Sequence, residues 1–176
     1  MATQIKGPGI FLAQFFKEEP PFDSLENLTS WAKTMGYLGV QIPTWNRALM
    51  DIDTASKSKD YCDELKASCG GLEITELAAH MQSRLVAVHP AYDVLCDTLA
   101  PVQYRGNPTS RTEWAIDQVN KTIMASYNLG LKVVIAFTGS LVWQYIYPFP
   151  PRPDSLIDEA FSELAVRWKP ILDSAA

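Results

Sequence analysis

Gln14, Gln41, Trp45, His80, Gln82, His89 and Trp143 are the side chains of this chain whose chemistry reaches beyond packing, and most of them stand just after short apolar runs. Side-chain amides and imidazole can pair with hydroxyl groups, and indole faces can cover the apolar side of a sugar ring. The set is almost uncharged, which suits a ring of hydroxyls. His80 is its central titratable member. An unperturbed pKa of about 6.5 lets an imidazole either move a proton or hydrogen-bond in its neutral form near neutral pH. A packed histidine satisfied by a carbonyl is the competing reading. His89, inside Val86-Ala-Val-His-Pro-Ala-Tyr92, divides between substrate contact and loop packing, and Trp45 and Trp143 between a pocket and a lid on the core. Phe15, Thr44, Thr138 and Ser140 complete the group.

Other chemistries find less support. A hard divalent cation wants carboxylate oxygens, with or without imidazole. The strand-end positions offer one histidine and no carboxylate, since Glu73 and Glu76 fall inside a strand and Asp51 and Asp53 read as a solvated turn. No glycine-rich run follows a strand to cradle phosphate: Gly70-Gly71 follows a helix and Gly7-Pro-Gly9 precedes a strand. There is no Gly-x-Ser-x-Gly elbow for acyl transfer. Cys62, Cys69 and Cys96 lack paired metal spacing and read as buried free thiols, which suit a reducing compartment.

The elements that must position these residues form a recurring unit of strand, turn and helix. The strands read Gly9 to Phe16, Leu38 to Ile42, Leu72 to Ala79 and Leu131 to Phe137, each a short apolar run of the kind a helix-covered parallel sheet requires. A first helix opens with Asp23 and Glu26 as a capping box and carries Leu25, Leu28, Trp31, Ala32 and Met35 as its stripe. A short second helix carries Tyr61, Cys62, Leu65 and Cys69. A loop from His80 to Asn107 is long enough to be a site loop or to hold local structure of its own. Ser110 and Glu113 box the third helix, whose Trp114, Ala115, Gln118, Val119, Ile123 and Tyr127 share a face. The last helix uses Leu156, Ile157, Ala160, Phe161, Leu164 and Trp168, with Pro170 disrupting its final turn. Strands joined by crossover helices are parallel with right-handed connections. Two architectures accept four such units, an open sheet with helices on both faces or half of a (β/α)8 barrel, and both gather the site at the carboxyl ends of the strands.

The 176 residues read as a single domain, 1–176, since no linker or low-complexity tract divides them. The hydrophobic fraction of 47% marks a globular chain, and at a net charge of −5 with scattered Lys and Arg the footprint for nucleic acid or an anionic membrane is missing. The first residues lack the pattern of a signal peptide, and no run approaches the ~18 apolar residues of a membrane span. The expected location is cytoplasmic.

The strings Gly39-Val-Gln-Ile-Pro-Thr-Trp45, Lys59-Asp-Tyr-Cys-Asp63, Leu72-Glu-Ile-Thr-Glu-Leu77, Leu85 to Tyr92, Arg105-Gly-Asn-Pro108 and Arg167-Trp-Lys-Pro-Ile-Leu-Asp173 together resemble the sugar phosphate isomerase/epimerase family, which belongs to the xylose-isomerase-like barrels. The resemblance covers essentially the whole chain. It implies an α/β fold of four βα units of a (β/α)8 TIM barrel, a half barrel with parallel strands. It implies proton transfer between adjacent carbons of a sugar or sugar phosphate, assisted by a divalent metal (Mn, Mg or Zn). The family's metal-binding Glu, Asp, His and Glu come from strands five to eight, so no metal ligand carries over to this chain. Trp45 and His80 match strand-end residues facing the sugar, as does His89.

Two readings follow. In one, the chain is the N-terminal half of such an enzyme, completed by a complementary C-terminal half or by self-association, because unpaired strand edges and bare apolar faces favour association. In the other it is a non-catalytic carbohydrate-binding module or a truncated inactive fragment.

Overall fold

A computed structural model describes residues 7–143, 145, 151 and 153–176. Among them four strands form one parallel sheet in the order β1 (Gly9–Phe11), β2 (Gly39–Pro43), β3 (Glu73–Ala78) and β4 (Val134–Ile135). Seven helices accompany it: α1 (Leu25–Thr34), α2 (Ile52–Ala55), α3 (Lys59–Ser68), α4 (His80–Ser83), α5 (Asp93–Cys96), α6 (Pro108–Leu129) and α7 (Leu156–Ala175). The protein is therefore α/β, and the sheet is open. The chain divides into two compact units, Met1–Ala79 with Lys121–Ile135 and His80–Asn120 with Ala136–Ala176.

The first unit holds the sheet. Its core gathers Ile10, Val40, Ile42, Ile74 and Leu77 from the strands with Leu25, Leu28 and Ala32 of α1, Cys62 and Leu65 of α3, and Ala125 and Leu129 of α6. All of these leave one face of the sheet. The opposite face carries Gly9, Phe11, Gln41, Thr75 and Glu76, which are exposed or half-buried. The strand order never reverses, so there is no switch point of the kind a doubly wound sheet requires. Right-handed crossovers between successive neighbours place their helices on a single side, and the distribution of burial agrees.

Three local features of this unit differ from the sequence expectations. β1 ends at Phe11, and the chain winds into a 3-10 turn over Leu12–Gln14. Phe15 then packs 5.0 Å from Trp31, whose other neighbour, Phe22, lies 5.2 Å away, so this aromatic group anchors α1. Ser24, one residue past the expected Asp23, caps α1 by accepting from the Asn27 amide N–H. Asp51 and Asp53 do not lie in a featureless turn. Asp51 caps α2 by accepting from the Asp53 and Thr54 amides, while Asp53 pairs with Lys121 at 2.8 Å and Arg47 at 2.9 Å.

The second unit takes in the long segment after β3, which carries α4, α5 and three 3-10 turns. Arg111, on the N-terminal part of α6, organises it. Only 1% exposed, its guanidinium donates to the Asp93 carbonyl at 2.8 Å, to Asp97 Oδ1 at 2.6 Å and to the Asp93 carboxylate. Asp97 also accepts from the Gly106 amide at 2.8 Å. That amide first, then Arg111, holds the Asp97 carboxyl below the ordinary carboxylate range. α6 starts at Pro108 with Asn107 accepting from the Ser110 amide, one turn ahead of the expected Ser110 cap. α7 continues through Pro170 where the proline suggested a break. The i,i+4 pairs Glu163 with Arg167 and Lys169 with Asp173 bracket that turn, and buried Ile171 ties it down.

All three cysteines are free and buried. Burial pushes the thiols of Cys62 and Cys96 up and that of Cys69 up to about 11, the nearby Glu26 adding to the last. No helix among the described residues is long and apolar enough to cross a membrane.

Candidate functional site

The uncovered sheet face of the first unit holds a polar pair beside an open space. β2 and β3 run in simple register from Gly39 opposite Glu73 to Val40 opposite Ile74, and then Gln41 stands opposite Glu76. Thr75 is the extra residue of a β-bulge, and a bulge re-aims the side chains that follow it. Strict alternation from Ile74 would turn Glu76 toward the helices. The bulge instead brings it beside Gln41, whose Nε2 donates to Glu76 Oε1 at 2.7 Å. With one amide hydrogen committed, the pair still presents the second Gln41 N–H as a donor, and the Gln41 carbonyl and second Glu76 oxygen as acceptors.

Two glycines give this face its depth. Gly9 and Gly39 are in register, and a Cβ at Gly39 would lie 2.6 Å from Thr75 Cγ2. The Thr75 methyl therefore rests over bare backbone, while its hydroxyl donates to the Val40 carbonyl at 3.1 Å. The result is a cleft of about 430 Å³ lined by Gly9, Ile10, Phe11, Gln41, Thr75 and Glu76. Phe11 supplies its aromatic wall and meets Trp45 edge to face, centroids 6.0 Å apart. Trp45 thus supports the wall, and Gln14, exposed in its 3-10 turn, does not line the cleft.

The remaining expected residues belong to the second unit. His80 opens α4 and meets Phe137 with ring centroids 4.5 Å apart and planes tilted by 34°, and the Arg84 guanidinium lies 5.0 Å from the same Phe137 centroid. Burial first, and then the Arg84 charge, lowers the His80 pKa, which favours the neutral ring. Gln82 is 2% exposed, buried within its unit. His89 Nδ1 accepts from the Ala91 amide at 3.1 Å and caps the 3-10 turn Pro90–Tyr92, which makes loop packing its visible role. Tyr92 links His89 to Trp143 through edge contacts of 6.5 and 6.1 Å, and Trp143 keeps 40% of its surface exposed.

The structure brings Gln41 and Trp45 to one place and adds Phe11, Thr75 and Glu76, which alternation reasoning passed over. A signal for them exists in the spacing. Leu72, Ile74 and Leu77 are the buried residues of this stretch, and the step from two to three marks an extra residue between Ile74 and Leu77.

Among the described residues no three His, Cys, Asp or Glu side chains gather as a ligand set, and the Glu76 carboxylate stands beside a neutral amide. No protein-family model and no curated protein matches the chain.

Proposed function

We propose that this protein binds a small carbohydrate in the cleft on its uncovered sheet face. The observation that carries this reading is the Gln41–Glu76 pair across β2 and β3, beside the Phe11 ring. A carboxylate held by an amide offers fixed acceptors for two neighbouring hydroxyls, and hydrogen bonds to an ionised acceptor are the stronger kind. Phe11 offers the face on which C–H groups of a sugar ring can rest. The glycines leave room for the ring to approach the backbone. The unbroken strand order and single helical layer support a finer architecture, the first four βα units of a (β/α)8 barrel whose interior face is the one left bare.

Proton transfer in the manner of a sugar isomerase or epimerase is the second reading. It draws on the resemblance of the sequence strings and on the half-buried place of the His80 imidazole, where burial favours the neutral form. Among the described residues no three His, Cys, Asp or Glu side chains gather to hold the divalent metal which that reading implies. A complementary chain carrying the metal ligands belongs to this second reading. The free buried thiols suit a cytoplasmic setting.

Titration of the protein with a panel of aldoses, ketoses and their phosphates, followed by amide NMR, tests the binding. Saturable shifts at Gln41, Glu76 and Phe11 are expected, weakened at least tenfold in Glu76→Ala. A panel that leaves these amides unmoved refutes the reading, as does binding unchanged in Glu76→Ala. In D2O the same samples report proton transfer: deuterium entering the sugar next to its carbonyl supports the second reading, and loss of that entry in His80→Gln assigns the base.

A further inference from the structure

The second unit leaves one flank of α7 bare. Of its residues only Ile171 is fully buried, and Leu164 and Trp168 are half-covered. The C-terminal half of the helix is held to its own unit: Arg167 donates to the Val86 carbonyl, Trp168 Nε1 to the Thr138 carbonyl at 2.9 Å, and Ser174 to the Asn120 side chain. Next to that packed line runs a second apolar line, Ile157 (40% exposed), Phe161 (66%), exposed Ala165 and Leu172 (62%). Successive members stand four or seven residues apart, so they share one side of the helix. An aromatic and two large aliphatic side chains in a row are more than the scattered single apolar residues expected of a surface.

The charges beside this line run in an order that suits its own copy. Asp158 stands at one end and Lys169 at the other, about three turns apart and therefore on nearly the same edge. Among the described residues Asp158 makes no ion pair, while Lys169 holds only Asp173, a pair in which both side chains are exposed and which is cheaply exchanged. Under a twofold axis near the middle of the helix, Asp158 of one copy faces the partner's Lys169, and the reverse holds. The same operation sets Phe161 against the partner's Ala165, large against small. This is an isologous contact, in which one patch complements itself.

We propose that two copies of this protein associate through the exposed flank of α7, antiparallel, with Phe161 at the centre and Asp158 paired with the partner's Lys169. The proposal stands apart from the carbohydrate reading, since no residue of the sheet cleft enters it.

Sedimentation equilibrium on the full chain over a dilution series tests it. A reversible dimer is expected, and Phe161→Glu is expected to weaken it at least tenfold with the circular dichroism unchanged. Asp158→Lys and Lys169→Asp each set like charges face to face and are each expected to sediment as monomers where the unmodified chain is dimeric. Mixing those two variants restores both opposite-charge pairs, and a heterodimer is expected to return. A chain that stays monomeric throughout the series overturns the proposal. So does a dimer indifferent to Phe161→Glu, and so does a mixture of the two folded charge variants that fails to associate.

Discussion

Replacing Gly39 by alanine tests the bulge that turns Glu76 toward Gln41. In the interior of a strand, alanine ordinarily gains about 0.5–1 kcal/mol over glycine by restricting the unfolded chain. At this position the added methyl would lie 2.6 Å from Thr75 Cγ2 and 3.3 Å from the Glu73 carbonyl oxygen, the first well inside the ~3.5–4.0 Å of a carbon contact. Thr75 cannot swing aside freely, because its hydroxyl is held by the Val40 carbonyl. Overpacking of this kind costs about 1–3 kcal/mol, so the net expectation is a loss centred near about 1 kcal/mol and reaching at most about 2.5 kcal/mol. Thr75→Ser keeps the hydroxyl and deletes the offending methyl; the side chain is exposed, and alone the change should cost under about 0.5 kcal/mol. The two together should recover most of the loss, leaving only the milder contact with the Glu73 carbonyl. Urea unfolding of the four proteins reads the cycle, and with a slope of about 2 kcal/mol per molar the Gly39→Ala midpoint moves by up to about 1.2 M. Additive single effects, or a Gly39→Ala protein at least as stable as the original, would mean that Thr75 does not lie over Gly39 and that the register argument for Glu76 is wrong.

The His80 ring should titrate below its ordinary value in proton NMR, and Arg84→Met should raise the midpoint part of the way, leaving the share due to burial. Because the folded protein resists this proton, the associated stability is complete above the unfolded pKa of about 6.5 and is lost as the pH falls below it; a His80 midpoint above 6.5 would contradict the packing described. Arg111→Met leaves the half-buried Asp93 and Asp97 carboxylates without their shared cation and should cost on the order of 2 kcal/mol in urea unfolding, solvent screening part of the loss, with Arg111→Met/Asp93→Asn/Asp97→Asn recovering some of it. A single variant within about 0.5 kcal/mol of the original would show that this cluster does not hold the segment after β3.

The positions of the strands were legible because a helix-covered sheet demands dense apolar runs, and Val40, Ile42, Ile74 and Leu77 supply them. Gln41 was legible as well, standing between Val40 and Ile42 on the opposite side of β2. Glu76 was not, since a period of two carries the reader past a bulge, and only the irregular spacing of Ile74 and Leu77 hints at it. Phe15 looked like a strand-end residue because nothing in the string Phe11 to Phe16 announces that the chain turns at Leu12. The side of a helix that receives cover also escaped: Met35 and Tyr127 fit their apolar stripes and are exposed, whereas Arg111, the largest fully buried side chain among the described residues, is of a type seldom found inside. Its burial depends on Asp93 and Asp97, contacts that no helical period encodes.

The unreversed order of the strands also bears on how the molecule is made. Gly9 meets Gly39, Gly39 meets Glu73, and Leu77 meets Val134, so every pairing joins a strand to the one synthesised just before it. The first two can close while the rest of the chain is still leaving the ribosome, without waiting for a distant partner. The last closes the longest stretch for the fewest ladder contacts, two residues of β4. Its added closure entropy is under about 0.6 kcal/mol, since the stretch is less than twice that of the second pairing. Assembly by accretion from the amino end, with β4 docking last and leaving first, is what such an order entails, and the freshest edge of the growing ribbon is at each moment the one awaiting its next strand.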